Sequence, residues 1–381
     1  MNKKLIALAV AGAFAAPVAM ADTGNVTIYG KMELSYDLMK TGDAASGAPG
    51  VSTNQVSSNA SRIGFKGNED LGNGLSAVWQ LEQGIAADGQ STAAFGGDTL
   101  RNTFIGLAGK SWGTVLMGHH DTPYKMSTRG LDSFGDGIAD NRNLMGGVKG
   151  GVSSVAQFDG RDSNVVAYMS PDFSGFKGSV AYVAGAESAV SGNTKGDAWS
   201  AAGTYDNGPL YAALAYEKHN FGSATAGPPA TTSGDLGAVG YAGQEEHAWK
   251  LGAGYKIDAF KVGAVYETTK DNLGTGGADN FGHHAYTLDG SYTMGNNVLK
   301  AAYTRAGDLA KSSNTSASQW AIGVDHNFSK RTTLYALYTK LNNDSGINYK
   351  LGVGGGTTLV DSSPGAGADP SAFAVGMVHR F

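Results

Sequence analysis

From Val26 to Asp37 the chain alternates with a period of two. Val26, Ile28, Gly30, Met32, Leu34 and Tyr36 share one face, and Thr27, Tyr29, Lys31, Glu33, Ser35 and Asp37 share the other. Successive strand residues point to opposite sides of a sheet, so this segment predicts a β-strand lying between an apolar medium and water. The pattern returns with Trp199, Ala201, Gly203 and Tyr205 opposite Ser200, Ala202 and Thr204, and with Phe260, Val262, Ala264 and Tyr266 opposite Lys261, Gly263 and Glu267. Leu299, Ala301 and Tyr303 likewise oppose Lys300 and Thr304, and Trp320, Ile322, Val324 and Phe328 oppose Gln319, Asp325 and Asn327. A soluble sandwich alternates too, but it rarely puts Lys, Glu and Gly on the non-apolar face of nearly every strand.

The connections alternate between short and long, as in the hairpins of a membrane barrel. Short turns are predicted near Asn68–Gly74, Gly109–Gly113, Pro171–Gly175, Asp206–Pro209, Ile257–Ala259, Met294–Asn297 and Lys330. Polar, Gly-rich stretches fill the gaps at about 41–60, 86–98, 122–162, 186–196, 219–245, 270–282, 306–317 and 342–371. Seven turns and eight loops make sixteen strands with both ends on the turn side, an even count that single-chain bacterial barrels share. The low-complexity stretches Ser223–Asp235 and Asp361–Asp369 are expected to be loop tips without structure of their own. The fold class is therefore all-β, a transmembrane antiparallel barrel with short periplasmic turns and long extracellular loops.

Composition sharpens this picture at three points. Paired lysines (Lys3, Lys4), an apolar run from Leu5 to Ala16 and the small-x-small end Ala19-Met20-Ala21 form the pattern of a cleaved secretory signal. Residues 1–21 are thus expected to be removed between Ala21 and Asp22, leaving 22–381 as one barrel domain. That step takes two lysines from 28 basic residues and none of the 33 acids, so the remainder carries −7 and is no polybasic nucleic-acid binder. Cysteine is absent. After Ala21 no stretch approaches the ~20 consecutive apolar residues of a transmembrane helix, so a membrane would have to be crossed by strands.

The segment Ser61-Arg62-Ile63-Gly64-Phe65-Lys66-Gly67-Asn68-Glu69-Asp70-Leu71-Gly72-Asn73-Gly74-Leu75 closely resembles the general porins of the Neisseria, Bordetella and Comamonas type. Weaker echoes occur in the expected order at Val26–Gly30, Gln80–Glu82, Ile105–Leu107, Tyr168–Phe176 and His379-Arg380-Phe381. The resemblance covers the whole chain after residue 21. It implies an outer-membrane homotrimer of sixteen-stranded barrels, passive diffusion of small hydrophilic solutes and ions, and a third long loop folded inward to narrow each pore. That loop would run from about Thr122 to Asp162. The alternating Phe373, Val375, Met377 and His379 before the terminal Phe381 resemble the closing strand that the barrel-assembly machinery reads.

Water-filled pores select ions through fixed charge at close range. Alternation places Lys31, Arg62, Lys66, Arg101, Lys177, Lys250, Lys261, Lys300 and Arg380 on the lumen face, against Glu33, Glu82, Glu217, Glu267, Asp289 and Asp325. By resemblance, Arg62 and Arg101 match basic constriction positions and Glu82 an acidic wall position, with Arg161 a looser third basic match. The expected inward loop adds Asp132, Asp136, Asp140 and Arg142. Where the family commonly has Gly-Arg after the fifth strand, this chain has Gly118-His119, which would make charge there depend on pH. The balance predicts a weak anion preference despite the net charge, strengthened on acidification as loop carboxylates and His119 gain protons.

Other chemistries find little support. Adjacent histidines (His119-His120, His283-His284) point to opposite faces of a strand, which is poor geometry for a shared metal. Gly109-Lys110-Ser111 has Phe104 where a phosphate loop needs glycine, and Gly352–Gly356 lacks a following helix. The Gly-x-Ser-x-Gly at Gly109–Gly113 falls in a predicted tight hairpin and the histidines fall at loop bases or the chain end, so an enzyme is not expected, nor is any cofactor. The rival readings are a barrel that serves as an adhesin scaffold and, behind it, a barrel-embedded hydrolase.

Overall fold

A computed structural model describes residues 26–89, 100–148, 157–185, 196–222, 241–353 and 363–381. The expected signal and its Ala21/Asp22 boundary lie outside these residues. The strands are β1 (Val26–Lys40), β2 (Ser52–Ser58), β3 (Arg62–Gly72), β4 (Leu75–Gly84), β5 (Thr103–Gly109) and β6 (Gly113–Asp121). They continue as β7 (Arg161–Met169), β8 (Phe176–Ala184), β9 (Asp197–Asn207), β10 (Leu210–Asn220), β11 (Glu245–Ile257) and β12 (Phe260–Asp271). The last are β13 (His284–Met294), β14 (Asn297–Ala306), β15 (Ala317–Asn327), β16 (Thr332–Asn343) and β17 (Ser371–Arg380).

All neighbouring pairs are antiparallel, and β17 returns to pair with β1 from Lys31↔Arg380 to Lys40↔Ser371, so the sheet closes. The seventeen segments make sixteen barrel strands because β2 and β3 are two halves of one. Ser52–Ser58 pairs with Leu34–Lys40 and Arg62–Gly67 with Val26–Lys31. Between them Ala60 takes a left-handed conformation (φ 49°) that interrupts the ladder. The expected first loop at 41–60 is correspondingly shorter, since β2 extends the wall above it. All seven short turns fall where the sequence places them.

The barrel is apolar outside. Ile28, Ile105, Leu251 and Met377 are more than half exposed, and most of the residues alternating with them are buried or half-buried. Apolar surface continuous over so many strands has no counterpart on a water-soluble monomer and suits lipid. Outward rings gather near both strand ends, as Phe260 on Tyr292 (4.3 Å) and Phe176 on Tyr205 (4.4 Å) toward the turns, and Tyr216 on Trp249 (4.7 Å) toward the loops. Such girdles mark the two membrane interfaces. Phe373, Val375 and Met377 face outward on β17, and the chain end extends the ladder: Gly30 N–H donates to Phe381 O (2.9 Å) and Phe381 N–H to Gly30 O (3.1 Å). Gly30 is bare because the Phe381 ring lies where a Cβ would sit.

The interior is filled by the segment after β6, which holds a short helix α1 (Pro123–Met126) and two 3-10 turns, Arg129–Leu131 and Asn141–Asn143. Thr122 caps α1 by accepting from Lys125 N–H, and Pro123 opens it. Leu131, Phe134, Ile138, Leu144, Met145 and Val148 bury themselves against Val265, Ala285, Ala306, Ala321 and Leu337 of the wall. Burial of such side chains contributes about 1.5–3 kcal/mol each, which turns an inward loop into a packed element. The last long loop joins them: Ile347, Tyr349 and Leu351 are buried in the same cluster, and Gly352 N–H donates to Ile138 O (3.0 Å). The described part of the low-complexity stretch, from residue 363, is tied down rather than structureless, with Gly367 N–H on Ile347 O (2.8 Å) and Ala45 N–H on Ala366 O (2.9 Å).

Candidate pore constriction

The inner faces of β3, β4 and the approach to β5 bring together three of the sequence-derived residues. Arg101 Nε donates to Glu82 Oε1 (2.6 Å), and Arg62 Nε lies 3.9 Å from Glu82 Oε2. Tyr29, across the sheet on β1, donates its hydroxyl to Glu82 Oε2 (2.9 Å). Glu82 is thereby a strut between two arginines, and both keep part of their guanidinium surface open to the lumen. Arg161 stands beside them at the start of β7, bonded to Asp121 Oδ1 (3.0 Å) and Asn102 Oδ1 (3.0 Å).

From the opposite side comes Asp136. It occupies the left-handed region (φ 68°), which Asp tolerates better than most residues, at the apex of the inward segment. Its Oδ2 is 3.1 Å from both Lys31 Nζ and Arg62 Nη1. Burial raises this carboxyl, but Lys31, Arg62 and Arg129 outweigh it and hold Asp136 below the ordinary carboxylate range. Acidification to pH 5 therefore leaves it charged, so Asp136 is not among the loop carboxylates that gain protons on mild acidification.

The remaining loop charges turn inward on each other. Asp140 is fully buried and holds Arg129 (Nη2–Oδ2 2.9 Å) and Arg142 (Nη2–Oδ2 3.0 Å) together. Asp132 lies 3.5 Å from Arg129 and accepts the backbone N–H groups of Phe134 (2.9 Å) and Asn141 (3.0 Å). Asp132, Asp140 and Arg142 thus knot the loop instead of presenting charge to a solute. Arg129, missing from the sequence-derived set, is central to the knot; its spacing to acids at 132, 136 and 140 was the available signal.

The wall residues divide in the same way. Arg380, Lys31, Glu33, Lys300 and Asp325 line a cavity of about 290 Å³ together with Arg62 and Asp136. Lys66 and Lys177 are exposed toward the turn end, with Lys66 over the Tyr29 ring (5.1 Å) and Lys177 on Asp172 (3.3 Å). Lys250, by contrast, is buried against Asp159, Glu267 (3.4 Å) and the Tyr124 ring (4.0 Å). Lys261 donates to Gly130 O (2.6 Å) and Lys300 to Ser133 O (3.1 Å), so both also tie down the loop. Beside this anchoring zone His219 sits between Glu246 (2.7 Å) and Glu217 (3.2 Å), stacked on Phe158. His119 sits in a bulge between Gly118 and His120 and bonds Leu100 O and Ser163, away from the cavity. His120 meets the Phe104 ring, and among the described residues no three His, Cys, Asp or Glu side chains gather as metal ligands.

A closed sixteen-stranded barrel with an apolar belt, aromatic girdles and a charged, loop-narrowed interior is a channel of the bacterial outer membrane. The chain belongs to the Gram-negative porin family, which matches residues 7–346. The major outer membrane protein P.IB of Neisseria lactamica is 30% identical over 342 residues, covering 87% of this chain and 91% of that protein. The P.IA protein of Neisseria meningitidis serogroup C is 29% identical, covering 92% and 96%. Among solved structures, an anion-selective porin from Comamonas acidovorans superposes with a TM-score of 0.74 at 25% identity, covering 93% of this chain and 99% of that one. The chain is accordingly an outer-membrane channel for passive diffusion.

Proposed function

We propose that this channel passes small hydrophilic solutes with a weak preference for anions, and that Arg62, Arg101 and Arg161 set that preference against Asp136. The observation that carries the reading is the arginine row on one wall facing the apical carboxylate of Asp136, with Asp132 and Asp140 paired to Arg129 and Arg142 within the loop. A fixed positive field in a narrow lumen raises the local concentration of anions. The Comamonas porin described as anion-selective has a related fold and sequence. The same reading takes the working unit as a homotrimer embedded in lipid, residues 1–21 as an export signal cut before Asp22, and the β17–Phe381 end as what the barrel-assembly machinery reads. It assigns no catalysis, cofactor or nucleic-acid partner.

Liposome swelling with purified protein tests it. Neutral sugars of low mass should enter at rates that fall with size, and small organic anions should enter faster than cations of equal size. A barrel that is only a scaffold for adhesive loops, or one that houses a hydrolase, would admit no sugar.

A further inference from the structure

Four inward-facing glycines lie beneath the loop that narrows the lumen: Gly252 and Gly254 on β11, Gly263 on β12 and Gly323 on β15. None has the positive φ that would demand glycine. Glycine within a strand weakens it and marks a close approach of another group. A Cβ at Gly254 would lie 2.7 Å from Leu131 Cδ2, and at Gly252 2.8 Å from Thr128 Cγ2 and 2.9 Å from Leu131 Cδ1. At Gly263 it would lie 3.3 Å from Leu131, and at Gly323 3.0 Å from the edge of the Phe134 ring. The lipid-facing glycines Gly203 and Gly290 have nothing within 4 Å of the same position.

We propose that these four glycines form a seat whose depth sets how far the loop stands off the wall, and hence the bore of the channel. The polar ties give direction: Lys261 holds Gly130 O, Lys300 holds Ser133 O, and Ser133 donates to Asp289 through both N–H (3.0 Å) and hydroxyl (2.6 Å). Such bonds tolerate a few tenths of an ångström. Carbon contacts under 3 Å, as a Cβ would make at Gly252 and Gly254, force a shift, and Leu131 is too tightly buried to turn aside, so the missing methyl groups fix the distance. Leu131 and Phe134, 2% and 4% exposed, are the two knobs that enter the seat. Asp136 follows two residues after Phe134, so lifting the knobs carries the apical carboxylate and the loop edge into the open lumen.

The inference rests on the channel reading, with Thr128–Asp136 as the narrowing segment, and bilayer recordings separate the two. Gly254→Ala should lower single-channel conductance roughly twofold by pushing Leu131 off the wall. Leu131→Ala in the same chain removes the clash and should restore conductance toward wild type, which a general loss of stability would not do. Gly290→Ala, on the lipid face, should leave it unchanged. Wild-type conductance in Gly254→Ala, or no recovery in the double variant, overturns the seat while leaving the channel intact. If Gly254→Ala fails to assemble, Gly323→Ala with and without Phe134→Leu decides by the same criterion, and wild-type conductance there overturns the proposal. A wild-type protein that forms no channel would sink the channel reading itself.

Discussion

The inner wall of the barrel has two unlike halves. Along β9 to β15 it is covered by the inward loop, and its charges are consumed in holding that loop: Lys250 with Asp159 and Glu267, Glu267 with Tyr124 and Gly146, and Asp289 with Ser133. Along β1, β3, β4 and the approach to β5 the loop leaves more of it bare, and Arg62 and Arg101 keep surface while bonding Glu82 and Asp136, with Lys31 buried between Glu33 and Asp136. Equal alternation produced both halves. A lysine on the covered side is a structural tie, whereas an arginine on the bare side keeps exposed surface and is the proposed fixed charge.

The largest expected effect is therefore on the covered side. Glu267→Ala leaves Lys250 with one carboxylate partner and strips acceptors from Tyr124 and Gly146, and breaking a buried pair of this kind costs about 3–5 kcal/mol. The barrel should unfold at lower temperature on heating in detergent, and open-channel noise should rise. An unchanged unfolding temperature would mean the loop is not anchored there. Asp140→Asn comes next: it removes the carboxylate that joins Arg129 to Arg142, at about 1.5–3 kcal/mol for charge-assisted bonds. Frequent flicker at unchanged selectivity is the expected record.

On the bare side the signature reverses. Arg62→Ala or Arg101→Ala should reduce the anion-to-cation permeability ratio roughly twofold each, since ~0.4 kcal/mol already produces that change, and should leave thermal unfolding nearly untouched. Glu82→Gln should shift the ratio the other way. Reversal potentials equal to wild type in all three would remove these residues from the selecting site.

The smallest effect concerns pH. Asp136 is held ionised below the usual carboxylate range, so its own contribution to selectivity should stay constant from pH 7 to 5. The folded-state depression means its ion pairs add stability above its unfolded value of about 3.9 and lose it only as pH falls below that. Lys125, at the base of the loop, is instead lowered to about 8, by burial first and by Arg161 and Arg142 against the pull of Asp121. It should lose its proton as pH rises from 7 to 9, and anion preference should decline slightly over that span. A Lys125→Met variant should show no such decline.

The sequence made the barrel legible because alternation reports a boundary between lipid and interior at every strand, and every short turn followed from it. What alternation does not distinguish is an interior residue facing water from one facing protein. Lys250 and Arg62 have the same periodicity and opposite fates, because the difference lies in a loop far away in sequence. The same blindness hid the knot of Asp132, Asp140 and Arg142, whose members are charged loop residues by composition and buried partners by geometry. It also left the final loop to be read as solvent-facing, although Ile347, Tyr349 and Leu351 keep the strand-like alternation of a segment with one buried side.

The central claim is that the bare wall, and not the net charge, sets what the channel prefers. The acids that make the chain negative as a whole include partly exposed residues such as Glu245 at the loop end of β11, screened over about 8 Å at physiological ionic strength, while the arginine row acts within the lumen. The zero-current potential of the wild-type channel in a potassium chloride gradient at pH 7 tests this directly. A potential on the anion side, corresponding to a modest permeability ratio, is the predicted result, and a clear cation-side potential would contradict it.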